Sequence, residues 1–132
     1  MTLRELNHYF ELREQLTKAE EMLASFRAVA SPGAQVLTGM PHAQGVSDSV
    51  GSLVVEIDDL KEKIAHLESE CAWERGKLER YISTIKDDQT RMIFRLRFIH
   101  CMTWPQVAEA IGGRNTANSV KLICYRYLGP KS

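Results

Sequence analysis

Residues 92–128 read MIFRLRFIHCMTWPQVAEAIGGRNTANSVKLICYRYL, and the order of caps, apolar stripes and glycines in them decides the fold. In Thr103-Trp104-Pro105-Gln106 the threonine is placed to accept from the third helical N–H and Gln106 to reach back to the Thr103 N–H. Pro105 falls in the first turn, where no intrahelical donor is lost. A helix therefore begins at Trp104. Val107, Ala108 and Ile111 give it an apolar stripe, and Ala108 is small enough for a second helix to approach closely. Gly112 and Gly113 stop it, because glycine accepts the left-handed backbone that a helix C-terminus commonly needs. Asn115 or Thr116 caps the next helix, which runs from Ala117 with Val120, Ile123, Tyr127 and Leu128 on its buried face. Upstream, Met92, Ile93, Leu96 and Ile99 make a supporting helix capped by Asp87 or Asp88, with Arg91, Arg95 and Arg97 interspersed. Three short helices with a glycine turn before the last is the order of a helix-turn-helix.

Such a unit commonly lays its last helix in the DNA major groove. Asn118, Ser119, Lys121, Leu122, Tyr125 and Arg126 fall away from the buried stripe, and Arg114, Asn115 and Thr116 precede them in the turn. These nine residues form the expected DNA-binding set. Arg114, Lys121 and Arg126 suit phosphates, together with the N–H groups at the helix start; Asn118, Ser119 and Asn115 suit base edges. The charge distribution points the same way. Residues 87–132 hold seven Lys/Arg against three Asp/Glu, residues 31–86 six against nine, and residues 1–30 four against five. A net charge of zero thus hides a basic C-terminus on an acidic remainder, which is the sign phosphate attraction requires.

Arg95-Leu96-Arg97-Phe98-Ile99, Thr103-Trp104-Pro105-Gln106-Val107-Ala108, Ile111-Gly112-Gly113, Ser119-Val120-Lys121 and Tyr125-Arg126-Tyr127-Leu128 together resemble sigma-factor region-4-type domains. More narrowly, the chain resembles small prophage-encoded transcription regulators of Gram-positive bacteria that carry such a domain behind a helical N-terminus. The resemblance covers roughly the last third of the chain. It implies a DNA-binding regulator whose helix from Ala117 reads the duplex and whose helix from Trp104 braces it, and it further implies a contact with RNA polymerase. One departure stands out: Ile111 and Val120 lie nine positions apart, two more than the usual helix-turn-helix spacing. The stretch Gly-Gly-Arg-Asn-Thr supplies the extra length.

The first two-thirds reads as two long helices. Thr2-x-x-Glu5 is a capping box, followed by Tyr9, Leu12, Leu16, Ala19, Leu23 and Phe26 at three-four spacing. Pro32-Gly33 ends that helix, and residues 31–47 have no period and too many breakers for helix or strand, so a mobile loop is expected. After Ser47 or Asp48 the series Val50, Leu53, Ile57, Leu60, Ile64, Leu67, Cys71, Leu78, Tyr81 and Ile85 predicts a helix from about Ser49 to Lys86, with only Glu74 out of pattern. Gly76 and Glu74 mark an expected bend. Trp73 lies outside the seam and is expected to cover a neighbouring element. The expected architecture is all-α: a long antiparallel coiled-coil helical hairpin over residues 1–86, then a three-helix helix-turn-helix domain over 87–132. The seam is satisfied within one chain or joins two, and a homodimer would supply a second reading helix for a repeated site.

Other classes find less in the sequence. No membrane span and no secretory leader are read, so a cytoplasmic protein is expected. Cys71, Cys101 and Cys124 lack Cys-x-x-Cys pairing and read as small buried hydrophobes, with no metal and no cofactor implied. His8, His42, His66 and His100 are scattered, and no phosphate loop, nucleophile elbow or carboxylate cluster accompanies them, so no enzyme is expected. Two alternatives remain open: a DNA-packaging protein like a phage terminase small subunit, and a coiled-coil adaptor that binds no DNA.

Overall fold

The computed structural model describes residues 1–30 and 43–130, and the side chains of 1–30 and 53–130. Every regular element among them is helical. The order is α1 (Leu3–Ala30), α2 (Ala43–Ser83), α3 (Asp88–Phe94) continuing as a π-helical turn (Arg95–Ile99), α4 (Trp104–Ile111) and α5 (Ala117–Leu128). None of these helices is long and apolar enough to cross a membrane.

The chain divides into two compact units: residues 14–69, and residues 1–13 with 70–132. In the first, Leu16 and Ala19 of α1 and Ile57, Ile64 and Leu67 of α2 are buried, while Leu23, Phe26, Leu53 and Leu60 are half-buried, so both three-four series bury the side expected of them. Helix α2 begins earlier than its pattern suggested. Residues 43–47 are helical: no proline lies between Ala43 and Ser49, and the single Gly45 costs only about 1 kcal/mol against extending a helix that later heptads already nucleate. The rest of the expected loop, 31–42, lies outside the described residues, as does His42.

In the second unit, Thr2 Oγ1 accepts the Glu5 N–H at 3.2 Å, and Leu6, Tyr9 and Leu12 are buried from the start of α1. Helix α2 continues through Gly76 to Ser83 and stops there, three residues short of Lys86. Its last turn tightens: the Thr84 and Ile85 N–H groups each donate to the carbonyl three residues back at 3.0 Å, and the Thr84 hydroxyl donates to the Tyr81 carbonyl at 2.6 Å. The buried row near this end is Leu78, Ile82 and Ile85; Ile82, at zero exposure, takes the place that spacing gave to Tyr81. Trp73, expected to cover a neighbouring element, instead stands 67% exposed.

Asp87 caps α3, its carboxylate accepting from both the Thr90 N–H at 2.9 Å and the Thr90 hydroxyl at 2.8 Å. Those bonds hold the Asp87 carboxyl below the usual carboxylate range. The helix then widens into the π turn, where the His100 N–H donates to the Arg95 carbonyl at 3.1 Å. The widened turn rotates the face that follows it. Ile93, Phe94, Phe98 and Ile99 are buried, whereas Met92 is half-exposed and Leu96 half-buried, so the supporting stripe differs from the one expected. Phe94 anchors an aromatic cluster, with ring centroids 5.5 Å from Phe98, 5.4 Å from Tyr127 edge-on and 6.3 Å from Tyr81. Helices α4 and α5 pack on each other, and α3 touches both.

Candidate nucleic-acid interface

Two local signals set α4. Thr103 is extended and its hydroxyl accepts the Gln106 N–H at 3.4 Å, while the Gln106 side-chain oxygen accepts the Thr103 N–H at 2.9 Å. Val107 and Ala108 are buried below. Gly112 and Gly113 then take φ values of 78° and 67°, a region that a side chain would strain. The chain reverses over five residues and restarts at Ala117.

The restart is capped by Thr116, which resolves the choice between it and Asn115. The Thr116 hydroxyl accepts the Ser119 N–H at 3.1 Å; the Ser119 hydroxyl accepts the Thr116 N–H at 2.8 Å and donates to the Thr116 carbonyl at 3.0 Å. The Asn115 side-chain amide donates to the Gly112 carbonyl at 3.0 Å and closes the turn. Asn115, Thr116 and Ser119 are therefore engaged in holding the start of α5. The cap leaves the Ala117 and Asn118 N–H groups as the first-turn donors that it does not take.

Helix α5 is fixed by Val120 and Cys124, both at zero exposure. Cys124 occupies the stripe where Tyr127 was expected; Tyr127 is 43% exposed and meets Phe94 edge-on, and Ile123 and Leu128 are half-buried. Burial pushes the Cys124 thiol up to about 12, against a small opposing pull from Arg97. The other six expected residues, Arg114, Asn118, Lys121, Leu122, Tyr125 and Arg126, are exposed. The helix thus has one locked face and another that carries two cations flanking an amide, an aliphatic group and a phenol.

Sequence spacing did not reveal what joins α5 to the rest of the surface. The Trp104 ring stands edge-on to Tyr125, with centroids 6.3 Å apart. The Arg97 guanidinium lies over the Trp104 ring, 4.7 Å from its centroid, and Lys121 Nζ lies 5.6 Å from the Tyr125 centroid. Trp104 therefore packs against Tyr125 of α5 and Arg97 of the π turn. The Arg97 guanidinium also donates to the Met102 carbonyl at 2.8 Å. Residues 97, 104 and 125 are brought together by the π turn and the α4/α5 crossing, neither of which a heptad count contains.

No protein-family model, curated protein or solved structure matches this chain.

Proposed function

We propose that this protein is a sequence-specific DNA-binding transcription regulator of phage or prophage type, with α4 and α5 acting as a sigma region-4-like helix-turn-helix on an antiparallel coiled-coil stem. The observation that carries the reading is the two-sided character of α5. Val120 and Cys124 hold it to the core while Asn118, Lys121, Leu122, Tyr125 and Arg126 are exposed, and a tight glycine turn follows the helix that braces it. The basic balance of residues 87–132 supplies the matching sign.

In this mechanism Arg114, Lys121 and Arg126 anchor phosphates, aided by the first-turn N–H groups of α5. Asn118 presents an amide suited to an adenine edge, and Leu122 and Tyr125 give apolar contact in the groove. Asn115, Thr116 and Ser119 hold the helix start at the height where these contacts form. The stem pairs two copies in the cytoplasm and so presents two reading helices, and a surface of the C-terminal helices meets RNA polymerase.

Fluorescence anisotropy of the full chain with mixed-sequence and candidate promoter duplexes, over a salt series and beside Lys121→Ala, tests the reading. Affinity should fall steeply with salt, should be greater for some promoter than for mixed DNA, and should weaken in Lys121→Ala. Absence of binding at low salt would remove the proposal and leave the stem as the functional part.

A further inference from the structure

We propose that Tyr125 reads a thymine by its C5-methyl group in the major groove, and that Trp104 is the positioning residue that holds the Tyr125 ring for this contact. The inference rests on the DNA-binding reading of α5 and names the base that one of its residues selects.

The contact is built from side chains within the unit of residues 1–13 and 70–132. Thr103 and Gln106 fix the start of α4 through their reciprocal bonds, and Trp104 is the first residue of that helix. Its ring stands at 87° to Tyr125 with centroids 6.3 Å apart. The Arg97 guanidinium lies over Trp104, 4.7 Å from its centroid, and is itself tied to the Met102 carbonyl at 2.8 Å. Lys121 Nζ stands 5.6 Å from the Tyr125 centroid, one turn earlier on α5. Tyr125 is thus bracketed by an aromatic ring from α4 and an ammonium from its own helix. A ring already held in place gives up little side-chain freedom when it meets a base, so more of the contact shows as affinity.

Position and chemistry both suit a base edge. A reading helix contacts bases chiefly from its N-terminal part, and helical side chains lean toward the N-terminus. Tyr125 is the ninth of the 12 residues of α5, and its ring leans back over the turn that carries Lys121. The residue is 38% exposed and borders an open cleft of about 300 Å³, which it lines with Leu3, Leu128 and Gly129. The surface offered there is apolar, and in the major groove the apolar group on a base edge is the thymine methyl. The Lys121 ammonium beside the ring suits a phosphate of the same strand. Charge does not oppose the approach. Helix α5 contains no Asp or Glu, and Glu109 of α4 lies five positions beyond Trp104, about 140° round that helix. Glu5, Glu11 and Glu74 line a separate cleft with Arg4, His8 and Lys77, so no carboxylate lines the cleft beside Tyr125.

Deoxyuridine differs from thymidine by that methyl alone, which gives a test that a purely structural role would not move. The duplex that full-length wild type selects from a random-sequence pool is prepared with each thymine replaced singly by deoxyuridine. Anisotropy then compares wild type with Tyr125→Ala, Trp104→Leu, Trp104→Met and Trp104→Phe, each first shown to be folded by thermal melting. One replacement should weaken wild-type binding about fourfold, the worth of one buried methyl group. That difference should vanish in Tyr125→Ala, fall below about twofold in Trp104→Leu and Trp104→Met, and survive in Trp104→Phe, which keeps a ring against Tyr125. Variants of Trp104 that lower affinity for the thymine and deoxyuridine duplexes alike, leaving their ratio unchanged, would overturn the positioning role. A duplex in which no replacement matters, with Lys121→Ala still impaired, would overturn the proposal and leave the α5 reading standing. Persistence of the difference in Tyr125→Ala with its loss in Leu122→Ala would assign the thymine to Leu122 and overturn it likewise. A wild-type protein that binds no DNA at low salt overturns both readings.

Discussion

Lys121 and Asn118 lie on the same exposed part of α5 but carry different chemistry, and that difference sets the sharpest expectation at the residue scale. A Lys ammonium is a point charge that meets phosphate whatever the base, whereas an Asn amide pairs with a particular base edge. Lys121→Ala should weaken binding to every duplex and flatten the salt slope by about 1, and Asn118→Ala should change preference among sequences by about 1–3 kcal/mol at one position. Equal losses on all sequences in both variants would show that the two residues do not divide the work in this way. Cys124 gives a second expectation. Its folded thiol keeps its proton up to about 12, while the unfolded chain releases it near the ordinary 9.0, so between those values the unfolded state binds fewer protons. Stability therefore falls as pH rises from about 9 to about 12, and part of that fall should vanish in Cys124→Ala when melting temperature is followed against pH. Burial raises the Tyr81 hydroxyl in the same direction, so the comparison between variant and wild type carries the test. That Cys124 is a small buried hydrophobe was legible from the isolation of the three cysteines. Its place on the α5 stripe was not, because three-four counting from Val120 admits Ile123, Cys124 or Tyr127 equally, and the aromatic cluster around Phe94 makes the choice.

At the scale of elements, the short helices were legible because their signals are local. Thr103 with Gln106, and Thr116 with Ser119, satisfy orphan N–H groups at a distance of three residues, and glycines at positive φ end what precedes them. Thr116→Ala should cost about 1 kcal/mol in urea unfolding and, by loosening the start of α5, should weaken DNA binding further than stability alone accounts for. Gly112→Ala meets no atom within 4 Å of the added Cβ, so its cost is the left-handed backbone alone, on the order of 1 kcal/mol. A Gly112→Ala variant as stable as wild type in the same urea experiment would show that the turn relaxes to another conformation. The π turn left no such local trace. It carries Phe98 and Ile99 into the core and presents Arg97 to Trp104, and both effects follow from one widened turn that helical periodicity counts as ordinary helix. The end of α2 at Ser83 departs from the heptad pattern for a related reason: Ile85 is buried and keeps the heptad period, although the backbone has already tightened and left the helix.

For the whole molecule, the long three-four series set the expectation of a stem, but the number of chains in it depends on faces that the series does not describe. Within residues 14–69, Met22 and Val29 lie seven positions apart on α1 and are 48% and 61% exposed, and Val54 and Val55 on α2 are exposed to a similar degree. Apolar groups at heptad spacing outside the buried row are what a second copy of the same helices would cover. A homodimer would carry two α5 helices, and a protein with twofold symmetry reads an inverted repeat whose half-sites lie about one helical turn apart or at a multiple of that distance. Sedimentation equilibrium of the full chain at micromolar concentration should show dimer, and Met22→Glu with Val55→Glu should shift it toward monomer by placing carboxylates where apolar surface would be buried. The same double variant should bind a single half-site as wild type does while losing its advantage on the inverted repeat, since only the coupling between two reading heads is removed. A strict monomer at every accessible concentration would remove the dimer, and it would confine recognition to one α5 helix.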